Sequence, residues 1–381
     1  LDTISPDVVT IMPDHAVSVV TRVFRAAGAD EAEAAAIAEN LVGASARGHD
    51  SHGIVRVPRY LQALERGHVG LGRHVTTIID SPAFALLDGH HGFGQVLGRE
   101  AVEAGLKKAE DQGVAVIGLR RSGHLGRIGA WAELAADAGY LSIHFVNVRN
   151  SLLVAPFGGA GRCMSTAPVT IGVPCPDGVH FILDFATSRA AEGKALVALK
   201  SGKPMAGDDL VDGNGMLTRD PQVLYGEVPP GTVPDPRKGP GALVAMGEHK
   251  GSGLALACEL LAGALTGSGT GMDDNRLWNG MLSIYMRADA MDDGSGNARM
   301  VQDYVDFVRA SPPATGHDQV MIPGDPERRR LKERTENGMP VAGEVWCNIL
   351  DAGEALGLSR AELDAPRAAD PQANAESGSQ A

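Results

Sequence analysis

Cysteine is scarce in this 381-residue chain and follows no pairing pattern: Cys163, Cys175, Cys258 and Cys347 are scattered, with no C-x-x-C spacing. That argues against a disulfide-stapled secreted scaffold and against a thiolate metal site, and it fits a reducing cytoplasm. Positive charge is also in deficit. Lys and Arg number 34 against 47 Asp and Glu, a formal net charge of -13, so the average field repels nucleic acid and anionic membranes. No apolar run is long enough to cross a bilayer; the longest, Leu254 to Leu265, is interrupted by Glu259. The N-terminus lacks a basic-then-apolar signal pattern, no internal repeat is present, and a cytoplasmic protein is expected.

Two catalytic signatures are missing as well. No G-x-S-x-G nucleophile elbow occurs. The Gly92-Phe93-Gly94-Gln95-Val96-Leu97-Gly98 stretch follows a strand and opens a helix, but its spacing is G-x-G-x-x-x-G, and no acidic residue ends a second strand about twenty residues on. A tight turn and helix start is the better reading than a dinucleotide fingerprint.

The length allows two or three compact units with a large core. Pro13 to Ala27 reads as an amphipathic helix closed by Gly28, and Asp30 followed by Glu33 is a capping-box-like start for an Ala-rich helix to about Arg47. Phe84 to Leu87 reads as a strand and Gln95 to Asp111 as a helix stopped near Gly113. A strand from Val114 to Leu119, a helix from Gly126 to Ala138 and a strand from Tyr140 to Val148 make a β-α-β alternation. Short β-rich runs from Thr166 to Leu183 precede a helix from Ala190 to Leu199. Lys203 to Pro240, rich in Gly, Pro and Asp, is expected to be a long surface excursion. Helices follow at Lys250 to Leu265, Val301 to Arg309 and Ala342 to Leu356, with a strand at Met281 to Ala288, and the tail after Pro366 is expected to be disordered.

What is present, above all, is Arg47-Gly48-His49-Asp50-Ser51-His52-Gly53-Ile54-Val55-Arg56-Val57-Pro58-Arg59-Tyr60. It packs titratable and cationic groups into a segment punctuated by glycines. If the residues after His52 begin a helical turn, His52 and Arg56 lie four apart on one face, a proton-transfer group beside a guanidinium. That pair suits a 2-oxo or 2-hydroxy acid: Arg grips the carboxylate and His moves a proton at the adjacent carbon. A His49/His52 metal site has no carboxylate cluster to complete it. A Ser51-His52 nucleophilic couple is disfavoured because adjacent side chains are expected to point apart.

His124 lies between glycines just after a strand, where the N-terminus of the next helix favours a neutral imidazole. Asp184, Thr187 and Ser188 stand at a strand-to-loop transition, in keeping with helix capping or ligand contact. Lys250 opens a helix among Gly247, Gly251 and Gly253, so a cation, free backbone N–H groups and the helix dipole converge where an anion can bind. Arg328, Arg329 and Arg330 form a charge run that suits a 2′-phosphate or simply a solvated face.

The stretch around His52 resembles the S-H-G-x-x-R-x-P-x-Y signature of the type 2 malate/L-lactate dehydrogenase family, the sulfolactate dehydrogenase-like oxidoreductases. Three later segments resemble that family in the same order: Ser122-Gly123-His124-Leu125-Gly126 its S-x-H-F-G element, Asp184-Phe185-Ala186-Thr187-Ser188 its D-M-A-T-S element, and His249-Lys250-Gly251-Ser252-Gly253-Leu254 its H-K-G-Y-G-L element. Asn147 and Val148 match its T-N-S segment more weakly, and Pro323-Gly324-Asp325 its P-G-E element. The resemblance spans roughly positions 10 to 350, and four ordered motifs are far more specific than one. The chain departs from the family at Thr166-Ala167-Pro168 for T-N-P, at Leu125 for Phe and at Ser252 for Tyr, so substrate specificity cannot be copied from a familiar member.

The resemblance implies an α/β fold: a three-layer, mixed-sheet nicotinamide-binding domain that is not a Rossmann fold, plus a helical domain built from both termini. Its spans would be 1–75 for the first helical part, 76–121 for a small α/β unit, 122–309 for the cofactor domain, and 310–365 for a return segment completing the small and helical domains, before the tail at 366–381. It implies an NAD- or NADP-dependent enzyme that interconverts a small 2-hydroxy acid and its 2-oxo acid, without a metal, as a homodimer. Arg56 would clamp the carboxylate, His52 or His124 would exchange the hydroxyl proton with Ser51 as a polar partner, and Tyr60 would close the pocket. Asn147, Val148, Thr166, Ile182, Leu183, Asp184, Thr187, Ser188, His249, Lys250, Pro323, Gly324 and Asp325 would contact the cofactor. The alternative it leaves open is reduction of a cyclic imino acid such as Δ1-piperideine- or Δ1-pyrroline-2-carboxylate.

Overall fold

The computed structural model describes residues 8–229, 232, 234–271 and 276–365; the tail read from the sequence as disordered lies outside them. The chain opens with β1 (Val8–Ile11), α1 (Pro13–Ala26), α2 (Glu31–Ala46) and α3 (Val57–Glu65). Proline at the first position of α1 has no N–H to satisfy there. Asp30 caps α2 as its sequence foretells, its Oδ1 accepting from Glu33 N at 2.8 Å. The middle of the chain runs through β2 (Thr76–Ser81), β3 (Phe84–Asp88), α4 (Gly94–Gln112), β4 (Val114–Ser122), α5 (Gly129–Asp137), β5 (Tyr140–Arg149), β6 (Val154–Ala155), β7 (Pro168–Val173) and β8 (Phe181–Ala186). It continues with α6 (Glu192–Lys200), β9 (Leu210–Val211), β10 (Leu217–Thr218), α7 (Gln222–Tyr225), β11 (Ala242–Val244) and α8 (His249–Cys258), which widens into a π turn over Glu259–Ala264. Then come β12 (Trp278–Arg287) and α9 (Asn297–Arg309), followed by α10 (Asp325–Asn337), β13 (Met339–Ala342), α11 (Gly343–Ala355) and α12 (Arg360–Asp364).

Two compact units result: the described residues up to Glu65 pack with those from Glu327 onward, and Arg66 to Pro326 form the other. In the first, β1 pairs antiparallel with β13 from Val8 opposite Ala342 to Ile11 opposite Met339. Val19, Val23 and Phe24 of α1, Ile37 and Leu41 of α2, and Trp346 and Ile349 of α11 are buried in it.

The second unit is built on a seven-stranded mixed sheet in the order β2-β3-β4-β12-β5-β7-β8, in which only β3 and β4 are parallel neighbours. Leu97 and Ala101 of α4 and Trp131 of α5 pack on Leu87, Ile117, Leu119, Met281 and Tyr285 of this sheet. The β-α-β alternation expected around α5 is present, but β12, from far along the chain, lies between β4 and β5 and runs antiparallel to both. A boundary at residue 121 would cut this sheet, because β4 bonds β3 on one side and β12 on the other. Of the return segment expected at 310–365 to complete the small and helical domains, the part up to Pro326 belongs to the sheet-bearing unit and the described part from Glu327 to the helical one.

The expected surface excursion at Lys203 to Pro240 is corrected in part. It supplies β9 and β10 to a four-stranded sheet, β10-β9-β11-β6, and buries Met205, Leu210, Leu224 and Tyr225 against Leu153, Ala195 and Leu243. Arg162 clamps it, donating at 2.9 Å to the carbonyls of both Leu224 and Gly239. These apolar residues are spaced with no helical or strand period, so pattern reading cannot find them.

Candidate active site

The helical unit carries the first motif. Between α2 and α3 the chain makes two separate 3-10 turns, Asp50–His52 and Ile54–Arg56, with Gly53 extended between them. The single helical face expected for His52 and Arg56 is therefore not formed. Their link runs through Ser51 instead: Arg56 Nε donates to the Ser51 carbonyl at 2.6 Å, and Ser51 Oγ lies 3.0 Å from His52 Nδ1. The adjacent Ser51 and His52 side chains do meet, contrary to the sequence expectation, because a tight turn folds one back on the other. Tyr60 is buried in α3.

His124 lies in the second unit, on the loop after β4, five residues before α5 begins. It is not at the helix N-terminus, so the dipole argument does not apply to it. Its Nδ1 accepts from Gly126 N at 3.3 Å, and its carbonyl accepts from Gln95 Nε2 at 3.2 Å. The strand ends before it are pinned by Asp88, whose buried carboxylate accepts from Arg120 Nε at 2.8 Å, Arg121 Nε at 3.0 Å and His90 N at 2.9 Å. Burial alone would push this carboxyl up, but the bonds from Arg121, His90 N and Arg120 outweigh it and hold it down at about 2.

A polar network missed by sequence reading ties His124 to the Asn147 segment. Leu125 N donates to Asn279 Oδ1 at 2.9 Å, and Asn279 Nδ2 donates to the Asn147 carbonyl at 2.9 Å. Asn147 Nδ2 bonds Glu259 Oε2 at 3.1 Å and the Gly269 carbonyl at 2.9 Å, while its Oδ1 accepts from Gly280 N. The other Glu259 oxygen accepts from Ser165 N at 3.0 Å and Ser165 Oγ at 2.6 Å, and Ser165 Oγ also accepts from Val148 N. Asn147, Val148 and Ser165, the residue before Thr166, are thus brought together around one buried carboxylate. The signal was visible: Glu259 is the lone charge in the longest apolar run, and it starts the π turn, a distortion frequent at functional sites.

Most of the remaining cofactor candidates use their side chains to build the scaffold. Asp184 accepts from Gly129 N at 2.7 Å and from Thr170 Oγ1 at 2.8 Å, so it caps α5 from a neighbouring strand. Thr187 Oγ1 donates to the Ala167 carbonyl at 2.7 Å and Ser188 Oγ to the Ala190 carbonyl at 2.8 Å. Ile182 N donates to the Pro323 carbonyl at 3.1 Å, which seats Pro323, Gly324 and Asp325 against the Ile182-Leu183-Asp184 strand. Asp325 itself pairs with Arg309 Nη2 at 2.8 Å. At Gly92, Gly94 and Gly98, protein atoms lie within 3 Å of where a Cβ would be, the nearest being Arg73 Cβ, the His124 carbonyl and Trp131. Those glycines serve close packing of the chain on itself.

His249 and Lys250 differ: both are exposed, at the start of the ten-residue α8. The preceding turn uses the N–H groups of Lys250, Gly251 and Ser252 for its own bonds, so the free amides expected there reduce to a cation and the helix dipole. A Cβ on Gly251 would lie 2.0 Å from the Met246 carbonyl, whereas one on Gly253 would meet nothing within 4 Å. A tight turn thus presents Lys250 beside an open surface, an arrangement that fits a dinucleotide diphosphate. Ser252, where the family has Tyr, accepts from Phe157 N at 2.9 Å. Among the described residues no group of three His, Cys, Asp or Glu could hold a metal ion, and no helix is long and apolar enough to cross a membrane.

Residues 11–350 match the family described as malate/L-lactate dehydrogenase. The chain is 36% identical over 357 residues to hydroxycarboxylate dehydrogenase B of Escherichia coli K12, covering 91% of this chain and 94% of that protein. It is 32% identical to an L-lactate dehydrogenase of Cupriavidus necator, over 85% of this chain and 91% of the relative. The sulfolactate dehydrogenase structure from Methanocaldococcus jannaschii superposes with a TM-score of 0.81 at 30% identity, covering 93% of this chain and 99% of the other.

Proposed function

Since the chain belongs to the malate/L-lactate dehydrogenase family, we propose that it is an NAD(P)-dependent oxidoreductase interconverting a small 2-hydroxy acid and its 2-oxo acid. The observation that carries this reading is the Arg56–Ser51–His52 linkage, a guanidinium and an imidazole locked to one serine. Arg56, its plane fixed through Nε, holds the substrate carboxylate with its two-point fork. When bound, the nicotinamide supplies the hydride acceptor or donor for C2.

The two histidines take different roles on this reading because their Nδ1 partners differ. A backbone N–H can only donate, so His124 Nδ1 stays unprotonated while bonded to Gly126, and its proton sits on Nε2. His124 is then a fixed donor to the substrate oxygen. A serine hydroxyl donates or accepts, so Ser51 serves His52 in both protonation states and leaves it able to take and return a proton at Nε2. His52 is the proton carrier.

Lys250, with His249 beside it, holds the cofactor diphosphate, while Asn147, Val148, Thr166, Ile182, Leu183, Asp184, Thr187, Ser188, Pro323, Gly324 and Asp325 shape and line the cofactor surface. Lys250→Ala is expected to weaken NAD(P)H binding about ten- to hundredfold with the fold intact; unchanged affinity in titration calorimetry would remove Lys250 from the site. The reading includes a dinucleotide-binding domain distinct from a Rossmann fold, supported by a sheet with one parallel pair, and a helical domain built from both ends of the chain. It also includes a homodimer and a cytoplasmic setting, the latter supported by four unbridged cysteines.

Reduced-nicotinamide absorbance during incubation with 2-oxo acids and cyclic imino acids tests the reading. Oxidation of NADH or NADPH with a 2-oxo acid is expected. Turnover of imines alone would replace the substrate assignment, and no turnover with either class would defeat it.

A further inference from the structure

Asp50 directly precedes the Ser51–His52 pair, and the group that holds it comes from α10, nearly three hundred residues later. Arg334 Nη1 donates to Asp50 Oδ1 at 2.7 Å, Nη2 lies 3.4 Å from Oδ2, and Nη1 also bonds the Ser45 carbonyl at the end of α2. Arg334 is buried, although the Asp50 side chain is well exposed. Ser45 braces the other side of the same loop: its Oγ accepts from Ile54 N at 3.1 Å, and a Cβ on Gly53 would lie 2.0 Å from that oxygen. One guanidinium therefore spans the entry to the loop and its first turn, with the loop's exit strapped to the same serine. His49 Nε2, 3.2 Å from Glu327 Oε1, ties the loop to the same helix a second time.

We infer that Arg334, acting through Asp50, is a positioning residue for the proton carrier: it fixes the turn on which Ser51 orients His52 and anchors Arg56. The inference rests on the assignment of His52 to proton transfer. Gly48, in a left-handed conformation at the entry of the turn, lets that side of it shift once the clamp is lost. A planar fork is suited to hold two carboxylate oxygens and a carbonyl together, which an ammonium cannot do. Small displacements of reacting groups are costly, a misplacement of about 1 Å amounting to roughly a hundredfold in rate. A purely structural ion pair would instead lower stability and leave the turnover of folded enzyme unchanged.

The test uses the full chain with Asp50→Asn, Arg334→Gln, Arg334→Lys and the Asp50→Asn/Arg334→Gln double variant, assayed at saturating cofactor with the best 2-oxo acid. Expected are a fall in kcat of about ten- to hundredfold, a cofactor Kd within about twofold of the parent, and a double variant no worse than either single, since both act through one contact. Arg334→Lys should recover only part of the rate. Asp50→Asn is nearly isosteric, so it decides the matter should Arg334→Gln fail to fold. A kcat within about twofold of the parent in folded Asp50→Asn, or losses that multiply in the double variant, would overturn the inference. His52→Ala, run alongside, separates the two levels. Full turnover without His52 removes the premise, whereas lost turnover in His52→Ala with an intact rate in Asp50→Asn removes the tether alone.

Discussion

Replacing His52 by alanine is expected to lower kcat by about 10² to 10⁴ at saturating cofactor, the usual consequence of losing a general acid/base. His124→Ala is expected to raise KM more than it lowers kcat, since a fixed donor contributes to binding and alignment. The contrast comes from one atom in each case: Ser51 Oγ beside His52 Nδ1 can reverse its hydrogen bond, and Gly126 N beside His124 Nδ1 cannot. Arg56→Lys should impair turnover of carboxylate substrates although charge is kept, because an ammonium offers a point charge where the guanidinium offers a planar grip. A larger kcat loss at His124 than at His52 would reverse the assignment of the proton carrier.

The second large effect is on stability in acid. His144, on β5, is fully buried, with Nδ1 2.8 Å from Ser283 Oγ and Nε2 3.0 Å from Ser142 Oγ. Burial holds its imidazole down at about 3. The unfolded chain takes up this proton below about 6.5, while the native state refuses it until about 3. The stabilisation is therefore complete above 6.5 and is lost as pH falls through that window, at up to about 1.4 kcal/mol per pH unit. Asp88 acts in the same direction but lower, its contribution present above the usual 3.8 and lost toward about 2. Between pH 6 and 4 His144 acts together with His91 and His15, whose imidazoles burial also holds below the usual value, so its own share is the difference between the parent and a His144 variant. Urea unfolding across that range should show a steeper loss in the parent than in His144→Asn, whose amide keeps a donor and an acceptor for the two serines. Equal slopes would contradict the assignment.

Much of this was legible in the sequence where local chemistry decides the outcome. Asp30 three residues before Glu33 forms the cap its spacing predicts, and Gly113 ends α4 in a left-handed conformation. The four motifs were legible too, because each is a short run of unusual residue types. What stayed hidden depends on contacts far apart in the chain. The insertion of β12 between β4 and β5 follows from packing rather than pattern, and so does the use of Asn279 to connect Leu125 with Asn147. The exposed β2 lacks the alternation that marks a half-buried strand. Adjacency alone predicts that the Ser51 and His52 side chains diverge, as in a regular helix or strand; the 3-10 turn brings them together. Nothing in the local sequence singles out Arg334, yet it is buried against the motif loop.

The central claim is that hydride passes directly between C2 of a 2-hydroxy acid and a nicotinamide while His52 handles only the hydroxyl proton. The most direct measurement starts from the best substrate found among 2-hydroxy acids, labelled with deuterium at C2, and follows the label by mass spectrometry during oxidation with NAD or NADP. Recovery of the deuterium in the reduced nicotinamide is the predicted result. Its appearance in solvent water, or an unlabelled nicotinamide after turnover, would contradict the account.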